Sequence, residues 1–224
     1  MRLFPLLRIG VPIAALCLCL HGQTTQTTEP QTETKGLPPR ATPADYQTQV
    51  QAGAVTIAAE FKGHAVPTLQ KTLTTEDYVA VEAALFGSPG ARLKLSFEDF
   101  SIRINARKTP LPASPYGLVV GSLRDPDWEP PEAAESKSKT SVHSGDTKVK
   151  RAEGNEAPPP VKIPVPLQRA MAQQVQKASL PEGDRPLPQA GLLFFLYRGK
   201  TQNIQSIELI YAGAAGKATL NLQP

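Results

Sequence analysis

The stretch Asp77-Tyr78-Val79-Ala80-Val81-Glu82-Ala83-Ala84-Leu85-Phe86 decides the fold. In an extended chain Val79, Val81, Ala83 and Leu85 share one face, because successive strand side chains point to opposite sides. Gly87-Ser88-Pro89-Gly90 follows and is a turn by its chemistry: Gly permits positive φ, and Pro presets φ to about −65°. Leu93, Leu95 and Phe97 then alternate with Arg92, Lys94 and Ser96, and Phe100, Ile102 and Ile104 alternate with Ser101, Arg103 and Asn105. Period-two alternation of this kind predicts a sheet with one dry and one wet face.

Working outward, Val50, Val55, Ile57 and Phe61 predict a first strand, and Ala65–Leu73 a weaker one suited by Pro67 to an edge. Lys108–Pro115 is a proline-rich loop, and Tyr116–Leu123 is read as a further strand. Leu167, Met171, Val175 and Ala178 recur at helical spacing after Pro166, which predicts the one short helix, over 166–178. Its thin apolar stripe suits a helix lying on the domain or capping an open end. Leu180–Pro188 leads out in extended form. Gly191–Tyr197 is apolar on both faces, as expected of a central strand covered by other elements. Ile204–Tyr211 and Ala218–Leu222 complete the pattern around the turn Ala212-Gly213-Ala214-Ala215-Gly216. Several short strands separated by turns predict a mainly β chain forming an antiparallel β-sandwich, with a partly open barrel as the alternative.

The two ends of the pattern differ from its middle. Arg2 and Arg8 precede the uncharged, mostly apolar run Ile9–Leu20, and His21-Gly22-Gln23 turns polar. This is the layout of a secretory signal peptide over 1–22, short for a membrane span. An uncleaved anchor is the other reading, and would be the chain's only link to a membrane. Leu16 and Leu18 stand directly before Cys17 and Cys19, where lipidation prefers a small residue, although Leu16 three positions before Cys19 suits it. Both cysteines, Cys17 and Cys19, lie in the apolar run, so a mature chain cut after Gly22 has none. The expected location is exported, periplasmic or extracellular. Residues 23–48 are expected to be a disordered tether and 129–162 a largely disordered insert within a single domain spanning 49–224. Nine of the 23 prolines lie in these two stretches.

Charge argues against nucleic acid as a partner. Without Arg2 and Arg8 the chain has 22 basic and 20 acidic residues, a net charge of +2. Lys148, Lys150 and Arg151 form no concentrated basic face.

Tyr78-Val79-Ala80-Val81-Glu82-Ala83-Ala84-Leu85 followed by Phe97-Glu98-Asp99-Phe100-Ser101-Ile102 resembles the core of exported bacterial immunoglobulin-like domains of unknown function. Gly191-Leu192-Leu193-Phe194-Phe195 and Glu208-Leu209-Ile210-Tyr211 are similar to their later strands. The resemblance spans Asp77–Asn105 and Gly191–Tyr211, and the long stretch from Arg124 to Ala190 departs from it. It implies an immunoglobulin-like sandwich outside the cytoplasm, with no activity and no functional residue attached.

No catalytic, metal or cofactor constellation is expected. A metal needs convergent ligands, and past the signal segment the histidines are His64, expected in a solvated turn, and His143, in the insert. Ser nucleophiles lack a positioned base. Glu98 and Asp99, adjacent in a strand, would point to opposite faces. Gly213–Gly216 joins strands, so it cradles no phosphate. Two functions follow. One is a non-enzymatic envelope protein acting as an interaction or assembly module, its contacts drawn from a sheet edge, from Trp128, or from Leu167, Met171 and Val175. The helix is then removable without unfolding the domain. The other is a domain binding carbohydrate or another envelope polymer through Trp128, Tyr116, Asp125 and Asp127.

Overall fold

The computed structural model describes residues 36–129 and 163–224. The expected signal peptide, the first half of the tether and nearly all of the insert lie outside the described residues.

The chain is mainly β, with antiparallel sheets and short helices. The strands in order are β1 (Thr48–Ala52), β2 (Val55–Gly63), β3 (Ala65–Pro67), β4 (Thr72–Thr75), β5 (Tyr78–Phe86), β6 (Arg92–Leu95), β7 (Phe100–Ile104), β8 (Leu111–Pro112) and β9 (Leu123–Arg124). After them come β10 (Gly183–Pro186), β11 (Gln189–Leu196), β12 (Ile207–Gly213) and β13 (Gly216–Leu222). The helices are α1 (Tyr116–Val119) and α2 (Val165–Ala178).

Two four-stranded sheets, β1-β2-β5-β11 and β13-β12-β7-β8, form the sandwich. Their inner faces carry the alternating sets read from sequence. Val79, Val81, Ala83 and Leu85 of β5 meet Phe100, Ile102 and Ile104 of β7 and Leu209 and Tyr211 of β12 in one buried core. The first expected strand is in fact the hairpin β1–β2, reversed at Gly53, whose φ of +58° is open to glycine at no steric cost. The second is the hairpin β3–β4, and Pro67 does sit on its edge strand, where a missing N–H breaks no ladder.

The first sheet is buried on both faces. Its outer face carries small residues, Ala58, Ala80, Ala84 and Ala190, with Leu192 and Phe194. Over Ala80, Leu192 and Phe194 lie Met171, Val175 and Ala178 of α2, together with Val66, Leu73, Val119 and Leu123. Over Ala58, Ala84 and Ala190 lies Tyr46, with Phe86 beside it. The helix is thus part of a third layer packed on the sandwich.

Three expectations change here. Residues 36–48 are packed chain and not tether: Leu37 bridges Ala190, and Tyr46 is 6% exposed. Two large side chains over alanines supply the burial that the polar composition hides. Tyr116–Ser122 is helix α1 and a 3-10 turn, and Val119 and Leu123, the first residue of β9, bury in the same cluster. Finally, β11 is not flanked by strands on both sides. It pairs with β5 alone, and single bridges from Leu37, Ser114 and Ser179 cover its outer edge. The amides of Ser114 and Leu180 donate to Phe194 O and Leu192 O at 2.7 and 3.0 Å. Gly191 has no side chain because a Cβ there would overlap the Leu180 backbone.

Candidate functional site

The candidate contact residues divide between three places: the turn after β9, the cleft at Tyr116 and helix α2. Asp125 belongs to a turn after β9. Its carboxylate, 5% exposed, forms an ion pair with Lys71 at the β3–β4 turn and accepts the Asp127 amide at 3.1 Å. Its carbonyl accepts the Trp128 amide at 3.2 Å. The hydrogen bond from Lys71 holds the carboxyl below the ordinary carboxylate range. Asp125 therefore shapes the turn and ties two loops together, while Asp127 is exposed beside it.

The turn presents Trp128 half-buried in a concavity of about 300 Å³ lined by Gly121, Arg124, Trp128, Ile163 and Gln168. Arg124 also reaches Glu76 at 3.0 Å and its neighbour's carbonyl, Leu123 O, at 2.9 Å. Tyr116 lines a different cleft, of about 180 Å³, with Phe97, Ser179, Leu180 and Arg185. The structure does not bring Tyr116 into the Trp128 concavity; Arg124 and Gln168 take that place. Sequence reading missed both, although Gln168 stands on the polar side of the predicted helix and Arg124 opens the Trp128 turn.

Met171 and Val175, offered as partner contacts, are 1% and 0% exposed against Leu192 and Phe194. A face already filled within the chain is closed to another chain. Leu167 is half-buried against the same cluster. The outward positions near the helix start are apolar instead: Leu118 of α1 is 62% exposed and Val165 is 56% exposed. Val165 follows Ile163, which lines the Trp128 concavity, by two residues, and Leu118 is carried on α1, which packs against α2.

Several other titratable groups are engaged within the chain. Glu60 and Glu82 are bridged by Arg40 and Lys62. Glu98 and Asp99 sit in a 3-10 turn capped by Ser96, not in a strand, and burial raises the Asp99 carboxyl above its ordinary value. His64 is half-buried, not solvated, with both ring nitrogens at hydrogen-bond distance from carbonyl oxygens. Among the described residues no group of His, Cys, Asp and Glu is placed to hold a metal ion, and no helix is long and apolar enough to cross a membrane. Comparison with protein-family models, with curated proteins and with solved structures gives no match.

Proposed function

We infer that the protein is an exported, non-enzymatic interaction module of the cell envelope, docking a protein partner through the Trp128 concavity, with Arg124 and Ile163, and through the exposed Leu118 and Val165. The observation that carries this is the exposure of Leu118, at 62%, and Val165, at 56%, on helices α1 and α2, while Gly121, Ile163 and Gln168 from neighbouring segments line the concavity of the half-buried Trp128. Exposed large apolar groups are what a docked partner covers, and Trp and Arg are residues interfaces favour. Export rests on the charged and apolar pattern of Met1–Gly22.

The immunoglobulin-like reading draws support from connectivity. In that fold one sheet holds strands ABED and the other CFG. Here β2, β5 and β11 stand in the order A-B-E, and β7, β12 and β13 in the order C-F-G. The bridging segments at Leu37, Ser114 and Ser179 occupy the edge where strand D would pair.

A photo-crosslinking side chain at Leu118, compared with one at exposed Thr219, tests the reading in whole cells. The expected result is one recurrent protein adduct from position 118, lost on Trp128→Ala, on a chain whose intact mass lacks Met1–Gly22. Equal adducts from both positions, or none, overturn it.

The Trp128 concavity also favours a second reading, an envelope-polymer site in which Trp128 stacks on a sugar ring and Arg124 and Gln168 hydrogen-bond its hydroxyls. Trp128 is the sole tryptophan. Saturable change in its fluorescence with one glycan, abolished by Arg124→Ala, supports this reading; an unchanged spectrum across a glycan panel removes it.

A further inference from the structure

His64 stands where β2 hands over to β3, and both of its ring nitrogens face main-chain oxygens. Nδ1 lies 2.7 Å from Tyr78 O and Nε2 lies 2.8 Å from Gly199 O. A carbonyl oxygen only accepts, and a neutral imidazole carries one N–H. The imidazolium satisfies both contacts. In the neutral ring one nitrogen turns its lone pair toward an oxygen at hydrogen-bond distance. We propose that His64 is a proton-operated clamp, fastening the loop between β11 and β12 to the sandwich when protonated and slackening it when neutral.

The surroundings hold the ring in this double contact. A register shift between Phe61 and Gly63 ends the β2–β5 ladder just before His64. Gly63 has φ of +60°, and a Cβ there would come within 3.3 Å of Thr201. Gly199 brings its carbonyl round the Tyr197 ring, which a Cβ would meet at 2.6 Å. The Tyr197 ring stacks on His64 with centroids 6.3 Å apart, and the His64 carbonyl accepts the Thr75 amide at 3.0 Å. At Gly63 the positive φ disfavours a side chain, and at Gly199 a Cβ would push the Tyr197 ring off its place beside His64.

The charged and titratable groups on the elements that meet there are engaged elsewhere or have other roles. Lys62 pairs with Glu60 and Glu82, Asp77 with Arg198 at 3.2 Å, and Glu76 with Arg124. Tyr78 contributes its carbonyl and Tyr197 its ring face, and the Tyr197 hydroxyl lies 3.5 Å from Lys200 O. The Lys200 side chain is the remaining cation on the loop. Histidine is the side chain whose charge ordinarily changes between about pH 5 and 8. The sign follows from counting bonds: the protonated ring makes two and the neutral ring one, so the loop tightens as pH falls.

Amide exchange of residues 198–203 in the full chain tests the clamp, at about pH 5 and about pH 8, the two ends of the histidine range. After correction for intrinsic exchange, protection is expected to be roughly tenfold higher at the lower pH, the worth of one charge-assisted hydrogen bond. His64→Gln, whose amide donates at either pH, should remove that difference. Equal protection at both pH values in the wild type, or a difference that His64→Gln shares, overturns the proposal. The imidazole nitrogen spectrum of the wild-type protein is an independent check should the variant not fold. Two protonated, exchange-protected nitrogens at the lower pH are expected, and one bare nitrogen there sinks the clamp.

Discussion

Glu60 and Glu82 lie directly opposite each other across the β2–β5 pair, two like charges on one face of a sheet. Such a pair is destabilising unless neutralised. Arg40 and Lys62 bridge it: Arg40 pairs with Glu60 and, at 3.1 Å, with Glu82, while Lys62 reaches them at 2.7 and 3.2 Å. Arg40 comes from the segment before β1 and also stacks on Tyr46, 4.4 Å from the ring centroid. The network therefore fastens the start of the domain to its central sheet.

Replacing Arg40 with Ala leaves Glu82, whose side chain is 9% exposed, with one cation instead of two. The expected loss is about 2 kcal/mol, more than an exposed pair and less than a fully buried one. Urea denaturation measures it, and protease sensitivity of residues 36–47 should rise in parallel.

The same network predicts acid sensitivity. Burial opposes ionisation of Glu60, but hydrogen bonds from Lys62 and then Arg40 outweigh it and hold the carboxyl below its ordinary value of 4.5. The native state thus binds fewer protons than the unfolded chain across that window. The stabilisation is complete above about pH 4.5 and is lost as pH falls through the depressed native value. Glu60→Gln should make the acid limb of the stability–pH curve shallower and leave its neutral plateau slope unchanged.

Truncating Val175 to Ala, at a site with no exposure, should cost about 1–3 kcal/mol, and Met171→Ala about 2–4 kcal/mol. Deleting Leu167–Ala178 uncovers Leu192 and Phe194 and should leave an aggregating, cooperatively unfolded chain. Circular dichroism melts separate this outcome from a domain that merely loses a partner.

Two glycines should respond in opposite ways. Gly191→Ala drives a methyl into the Leu180 backbone and should destabilise by about 2–4 kcal/mol. Gly117→Ala, in helix α1 with nothing within 4 Å of the added Cβ, should stabilise by about 0.5–1 kcal/mol. Thermal melts of the two variants test both signs.

The strands were legible where burial is one-sided or complete over a long run. Val79 to Leu85, Phe100 to Ile104 and Ile207 to Tyr211 show their inward faces as alternation, and α2 shows its stripe at Met171, Val175 and Ala178. The stretch Tyr116–Leu123 was misread because its β-branched and aromatic residues suit a strand in isolation, and only the layer beneath Val119 and Leu123 selects a helix. Of the candidate contacts, Trp128 was legible as an unusual residue in a turn. Its companions were not, because Arg124 and Gln168 come from separate elements.

By itself the sequence determined which residues avoid water and with what period, and hence a mainly β chain with one amphipathic helix. It also determined the small residues on the second face of the first sheet, without showing what they accommodate. Tertiary structure alone decided that Leu37, Ser114 and Ser179 cover the edge of β11, that Tyr46 and Arg40 close over Glu60 and Glu82, and that His64 meets Gly199. Periodicity records how each residue faces along its own strand, whereas these contacts join residues tens to more than a hundred positions apart, and their partners are set only when the layers pack.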